Sequence, residues 1–137
     1  MKTEKAEFIL LSRLEAIDEA AIAATKIATE SGIDEDGLFG IDLAVREAVT
    51  NAVKHGNKFD ETKRVKITFE KSLGSLVIAV ADEGAGFDWT NVPDPTEPEN
   101  LLKDSGRGIL FMKNFMDEVS WKNAPTGGTI VRLTKRF

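Results

Sequence analysis

The chain has 137 residues, with 18 Lys and Arg against 23 Asp and Glu and a formal net charge of −5, which fits one domain able to bury about two thirds of its unfolded surface. The absence of cysteine excludes disulfides and thiolate metal sites, and the lack of a basic field or sustained basic run argues against direct nucleic-acid binding. A protein or small-molecule partner and a cytoplasmic location are expected, because the stretch MKTEKAEFILLSRLE holds an apolar run of only four residues, too short for a leader or a membrane span.

In chain order, EFILLS (7–12) has strand character, and the alanine-rich segment RLEAIDEAAIAATKIATESG has helical spacing that stops at Gly32. A second helix is expected from about Asp36 to His55, closed by Gly56 in the left-handed conformation. RVKITFEKS (64–72) alternates as a half-buried strand does, Gly74 marks a tight connection, and SLVIAVAD (75–82) is apolar enough for an interior strand, so the two predict a hairpin. Residues 88–106, DWTNVPDPTEPENLLKDSG, carry three prolines and are read as a functional lid, not a domain boundary. GILFMKNFM (108–116) has helical spacing, and EVSWKNAPTGGTIVRLTKRF resembles two strands joined by the turn APTGG. Strands arriving in adjacent pairs predict an α+β fold, a mixed or antiparallel sheet with helices on one face.

Within EAVTNAVKHG (47–56), Glu47, Asn51 and His55 recur every four residues. At about 100° per residue, Leu38, Ile41, Val45, Ala48, Val49 and Ala52 form the core stripe. Arg46, Thr50 and Lys54 fall nearly opposite, and the polar line runs along the border of the core with Ala44 as a small neighbour. Such a line is either a solvated boundary or one wall of a cleft. A carboxylate can orient or deprotonate a hydroxyl, an amide oxygen is a hard ligand suited to magnesium, and an imidazole can donate to a phosphate. Together they suit phosphoryl transfer.

ADEGAGFD (81–88) ends an apolar strand at Asp82, followed by Gly84 and Gly86. It is either a chain reversal or a site where a carboxylate accepts from an exocyclic amine while glycines let the backbone approach a ring. SGRGILFM (105–112) sets Gly106 and Gly108 around Arg107 where a helix begins, either as a cap or as an anion site. It lacks the lysine of a phosphate-binding P-loop.

The ordered elements E-x3-N-x3-HG, D-x-G-x-G, a long lid and G-x-G resemble the nucleotide-binding motifs of the GHKL ATPase and kinase superfamily, built on the Bergerat fold. More closely, DLAVREAVTNAVKHGNK, VADEGAGFD, SGRGILFMKNFMDEV and GGTIVRLTK together resemble the anti-sigma factor serine/threonine kinases over residues 41–134. The resemblance implies a two-layer α/β sandwich of the histidine kinase-like ATPase type, with residues 1–137 as a single ATP-binding kinase domain. It implies ATP and Mg as cofactors, Glu47 as general base, and Asn51 as the magnesium ligand. Asp82 would bind the adenine amine above Gly84 and Gly86, with Thr129, after Gly127 and Gly128, supporting the base through water. Gly106, Arg107 and Gly108 would end the lid and contact phosphates, although sporulation-type members carry the arginine just before the glycines. His55 would lie near the phosphates or cap the helix, and Lys103 and Asp104 would face solvent.

The implied activity is transfer of the ATP γ-phosphoryl group to a serine or threonine of an anti-sigma factor antagonist, with sequestration of a sigma factor and formation of a homodimer in which EFILLS supplies a pairing edge. The alternative is a nucleotide-gated protein-binding module without kinase activity, for which Glu47 would be dispensable. A histidine-kinase catalytic domain fits poorly, because no dimerisation helix pair precedes the motifs and the one histidine, His55, lies inside the ATP motif. A gyrase-type clamp needs further domains.

Overall fold

A computed structural model describes residues 4–84, 110, 112–125 and 127–137. Its elements are β1 (Glu4–Leu11), α1 (Glu15–Glu30), α2 (Glu35–Asn51), a π-helical turn (Ala52–Gly56), β2 (Arg64–Ser72), β3 (Ser75–Ala81), β4 (Glu118–Asn123) and β5 (Thr129–Arg136). Leu110 and residues 112–115 are also helical. The sheet order is β1-β2-β3-β5-β4, and every pairing is antiparallel.

Alternation decides which face each strand buries. Val65, Ile67 and Phe69 of β2, Leu76, Ile78 and Val80 of β3, and Val131 and Leu133 of β5 are all buried, on the same face by their register. Their neighbours Lys66 and Arg132 are exposed on the other face. The expected hairpin turns between Ser72 and Ser75, with Gly74 at φ +80°. The last two strands join through Gly127 and Gly128, both at positive φ, a conformation that costs a side-chain-bearing residue about 1 kcal/mol or more.

Alanine spacing shapes the helical layer. Ala16, Ala20, Ala21, Ala24 and Ala28 of α1 are buried, as are Gly37, Gly40, Ile41, Ala44, Val45, Ala48 and Val49 of α2, so small residues let the two helices approach closely. The ends are chemically marked. Gly32 (φ +86°) donates to the Thr29 carbonyl and Ile33 to the Ala28 carbonyl, a Schellman closure with Ile33 as its apolar anchor. Asp34 then caps α2 by accepting from the Gly37 amide at 2.8 Å.

Arg46 stays partly exposed on the side that its helical angle predicts, but it does more there than face solvent. Its guanidinium is paired with Asp42 one turn back (3.1 Å) and with Asp18 of α1 (2.7 Å), so it ties the two helices together. Because the group remains 38% exposed, Arg46→Ala is expected to cost no more than about 1 kcal/mol. A urea titration checks this, and the loss should shrink in high salt.

Candidate functional site

Asp82 directly follows β3, and its amide donates to the carbonyl of Thr129, the first residue of β5, at 3.0 Å. Its carboxylate folds back over the same junction. Oδ1 accepts from the Thr129 amide at 3.1 Å and from the Gly84 amide at 2.9 Å. Among the described residues Oδ2 has no donor, and it is the Asp82 atom that a side chain at Gly56 would meet first. Burial raises the Asp82 pKa above the ordinary carboxylate value, against the opposing pull of the Gly84 and Thr129 amides and the charge of Lys63.

Three glycines close around this carboxylate. A Cβ on Gly56 would overlap the Asp82 carboxylate, one on Gly84 the Gly56 carbonyl, and one on Gly128 the Asp82 carbonyl. Only hydrogen fits at each. Beside them the Thr129 hydroxyl is buried with no hydrogen-bond partner among the described residues, an orphan that a polar ligand or a bridging water would satisfy. A part-buried carboxylate with an unused oxygen, a backbone cradle without side chains and an unpaired hydroxyl fit a flat heterocycle bearing an exocyclic amine.

The C-terminal end of α2 reaches this niche through the π turn. The Asn57 amide bonds to the Ala52 carbonyl five residues back at 2.8 Å, widening the last turn, a departure from α-geometry often found at functional sites. Glu47 and Asn51 are partly buried near the end of α2, whereas His55 lies exposed on the wide turn. Gly56 is not left-handed; that conformation falls on Lys58 (φ 52°) and Phe59 (φ 59°). Gly56 is needed because the Asp82 carboxylate lies against it, a long-range reason that helix-end statistics do not contain.

Sequence reasoning also missed Asn57. Its side chain is 1% exposed, donates from Nδ2 to the Arg64 carbonyl at 3.0 Å and accepts at Oδ1 from the Glu83 amide at 2.8 Å. The Glu83 carboxylate in turn accepts from the Arg64 amide. Gly86, Gly106, Arg107, Gly108 and the expected lid at 88–106 lie outside the described residues.

A groove of about 630 Å³ opens at the other end of β5, lined by Phe39, Phe115, Lys135 and Phe137 among others. None of the candidate site residues among those described (Glu47, Asn51, His55, Asp82, Gly84, Thr129) lines it. Asp82, Gly84, Gly56, Gly128 and Thr129 come together instead where β3 leaves the sheet and β5 enters it.

Residues 10–135 match the histidine kinase-like ATPase domain family. The chain is 37% identical to the anti-sigma F factor of Bacillus subtilis (strain 168), covering 96% of this chain and 90% of that protein. It is 34% identical to the anti-sigma F factor of Clostridium botulinum (strain Eklund 17B / Type B), covering 96% and 92%. The chain belongs to the anti-sigma F factor family. Its nucleotide-binding domain is of the histidine kinase-like ATPase type, so the expected sandwich is the fold observed. Among solved structures, the RsbU and RsbW domains of a Mycobacterium tuberculosis protein align with a TM-score of 0.70 at 20% identity, over 97% of this chain and 32% of that one. The catalytic domain of histidine kinase ThkA aligns at 0.60 and 16% identity, over 99% and 98%. These two likenesses speak for the fold.

Proposed function

We propose that this chain is a magnesium- and ATP-dependent serine/threonine kinase that phosphorylates an anti-sigma factor antagonist and also sequesters a sigma factor. The observation that carries the reading is the Asp82 niche, a carboxylate held by two backbone amides among three obligatory glycines beside an orphan threonine hydroxyl. Bound ATP supplies the phosphoryl group to be transferred. Asp82 accepts the adenine amine through Oδ2, Thr129 satisfies its hydroxyl on the base side, and Gly84 and Gly86 leave the ring room. Asn51 holds magnesium together with the nucleotide phosphates; among the described residues no three acidic or histidine side chains gather into a metal cluster, which suits an ion that relies on substrate oxygens. Glu47, one helical turn earlier, orients the acceptor hydroxyl and takes its proton. His55, Gly106, Arg107 and Gly108 hold the phosphates, and the lid at 88–106 excludes water from the transfer.

On this reading residues 1–137 act as one domain in the cytoplasm, consistent with the absence, among the described residues, of a helix able to cross a membrane. The chain pairs with a second copy along β1, one of the two edge strands of the described sheet, whose Ile9 is 57% exposed and whose edge offers backbone groups for pairing.

The test incubates the protein with γ-labelled Mg-ATP and candidate antagonist proteins encoded nearby. Label should reach a serine or threonine of one antagonist, and Glu47→Ala should slow transfer by about a hundredfold or more while retaining ATP binding. Tight ATP binding without transfer to any candidate, together with unchanged partner binding in Glu47→Ala, would favour the nucleotide-gated module instead.

A further inference from the structure

We infer that Asn57 is the positioning residue that sets the base-reading carboxylate, making it a determinant of adenine specificity even though it touches no nucleotide. The inference rests on the ATP reading above. Asn57 stands at the meeting point of three segments. Its backbone amide closes the π turn onto Ala52, its Nδ2 holds the Arg64 carbonyl where β2 begins, and its Oδ1 holds the Glu83 amide where the chain leaves β3. That last amide belongs to the peptide unit whose carbonyl is the Asp82 carbonyl, the group against which Gly128 packs. The residue before Asn57 is Gly56, which packs on the Asp82 carboxylate. Asn57 therefore fixes Asp82 from both sides, through the backbone that carries it and through the glycine that abuts it.

The network is closed. Asn57 is 1% exposed, and both ends of its amide are used. The Glu83 carboxylate accepts from the amide of the same Arg64 whose carbonyl accepts from Asn57 Nδ2, so the β2 start and the β3 exit are clamped twice. The cradle tolerates no slack, since every glycine contact in it is already too close for a methyl group. Loss of the Glu83 bond would free the peptide after Asp82 to rotate, moving Oδ2 relative to Gly56, whereas Asn51 and Glu47 on the α-helix would keep their places. Base reading should suffer before phosphate binding does.

The probe pair is ATP and inosine triphosphate, which has a carbonyl where adenine has its exocyclic amine. Their affinities for wild type, Asn57→Ala and Asn57→Asp are measured by calorimetry at pH 8, with thermal melts on the same samples. Wild type should prefer ATP by roughly tenfold or more, the worth of a hydrogen bond to a charged acceptor. In Asn57→Ala that preference should collapse to within about threefold, chiefly through weaker ATP binding. Asn57→Asp has the same shape and keeps the acceptor for Glu83; it loses the donor to Arg64 and sets a buried carboxylate against that carbonyl, so it should melt below wild type yet retain most of the preference. Equal weakening of both nucleotides in Asn57→Ala would mark a merely structural role and overturn the inference. So would a lost preference in Asn57→Asp, which decides the matter if Asn57→Ala proves too unstable to titrate. A wild type that binds no ATP, or fails to distinguish the two nucleotides, would instead refute the adenine reading on which the inference rests.

Discussion

Asp82→Asn is expected to lower ATP affinity by about a hundredfold or more while making the unliganded protein more stable at neutral pH. The two effects share one cause. Asparagine keeps an oxygen for the Gly84 and Thr129 amides, so the cradle survives, but it replaces Oδ2 with an NH2 group that meets the adenine amine donor to donor. Losing a charge-assisted bond and gaining an unsatisfied pair of donors costs roughly 3 kcal/mol. The stability gain follows from the direction of the carboxyl's pKa. Burial raises it above its ordinary value of 3.8, so across the window between that value and the raised one the folded protein holds a proton that the unfolded chain has released. Wild-type stability therefore falls as pH rises through that window. Asparagine stands in for the protonated form and has no such loss. Melts from pH 3 to pH 8 should show wild type and variant converging at the acid end and separating, with the variant higher, toward neutrality. A variant that melts lower than wild type at pH 7, or binds ATP as well, would contradict this account of the niche.

What the sequence made legible divides along the range of the interactions. The β2–β3 hairpin at Gly74 and the β4–β5 pair at Gly127 and Gly128 follow from alternation and turn chemistry, which act over a few residues. The strip of Glu47 and Asn51 beside a core of Ile41, Val45, Ala48 and Val49 follows from helical periodicity. Periodicity is silent on tertiary contacts: it puts Arg46 at the surface but does not foretell its pairing with Asp18, 28 residues away in the chain. Gly56 reads locally as a helix stop, and Asn57 carries no local signal of its role. Both owe their identities to Asp82 and Glu83, reached across 26 residues of chain. One signal was available: a polar residue next to a glycine that immediately follows a motif helix and precedes a loop is a candidate for holding that loop down.

Gly84→Ala should be among the most damaging single methyl groups in the described structure, abolishing measurable ATP binding and lowering stability by about 2–3 kcal/mol. The added carbon would stand on the Gly56 carbonyl, so no rotamer change can relieve the clash. Either the β3 exit or the end of the π turn must retreat, and each carries half of the niche: Asp82 on one side, the wall descending from Asn51 on the other. Gly32→Ala provides the contrast. Gly32 also demands a backbone that alanine dislikes, at φ +86°, but nothing lies within 4 Å of its added carbon. It should lose about 1 kcal/mol through conformation alone and bind ATP normally. If the glycines serve only to make turns, the two variants will lose similar stability and both will retain the nucleotide. If Gly84 exists to let two backbones meet around Asp82, the binding loss will belong to Gly84→Ala alone, and raising the ATP concentration will not recover its melting temperature as it does for wild type.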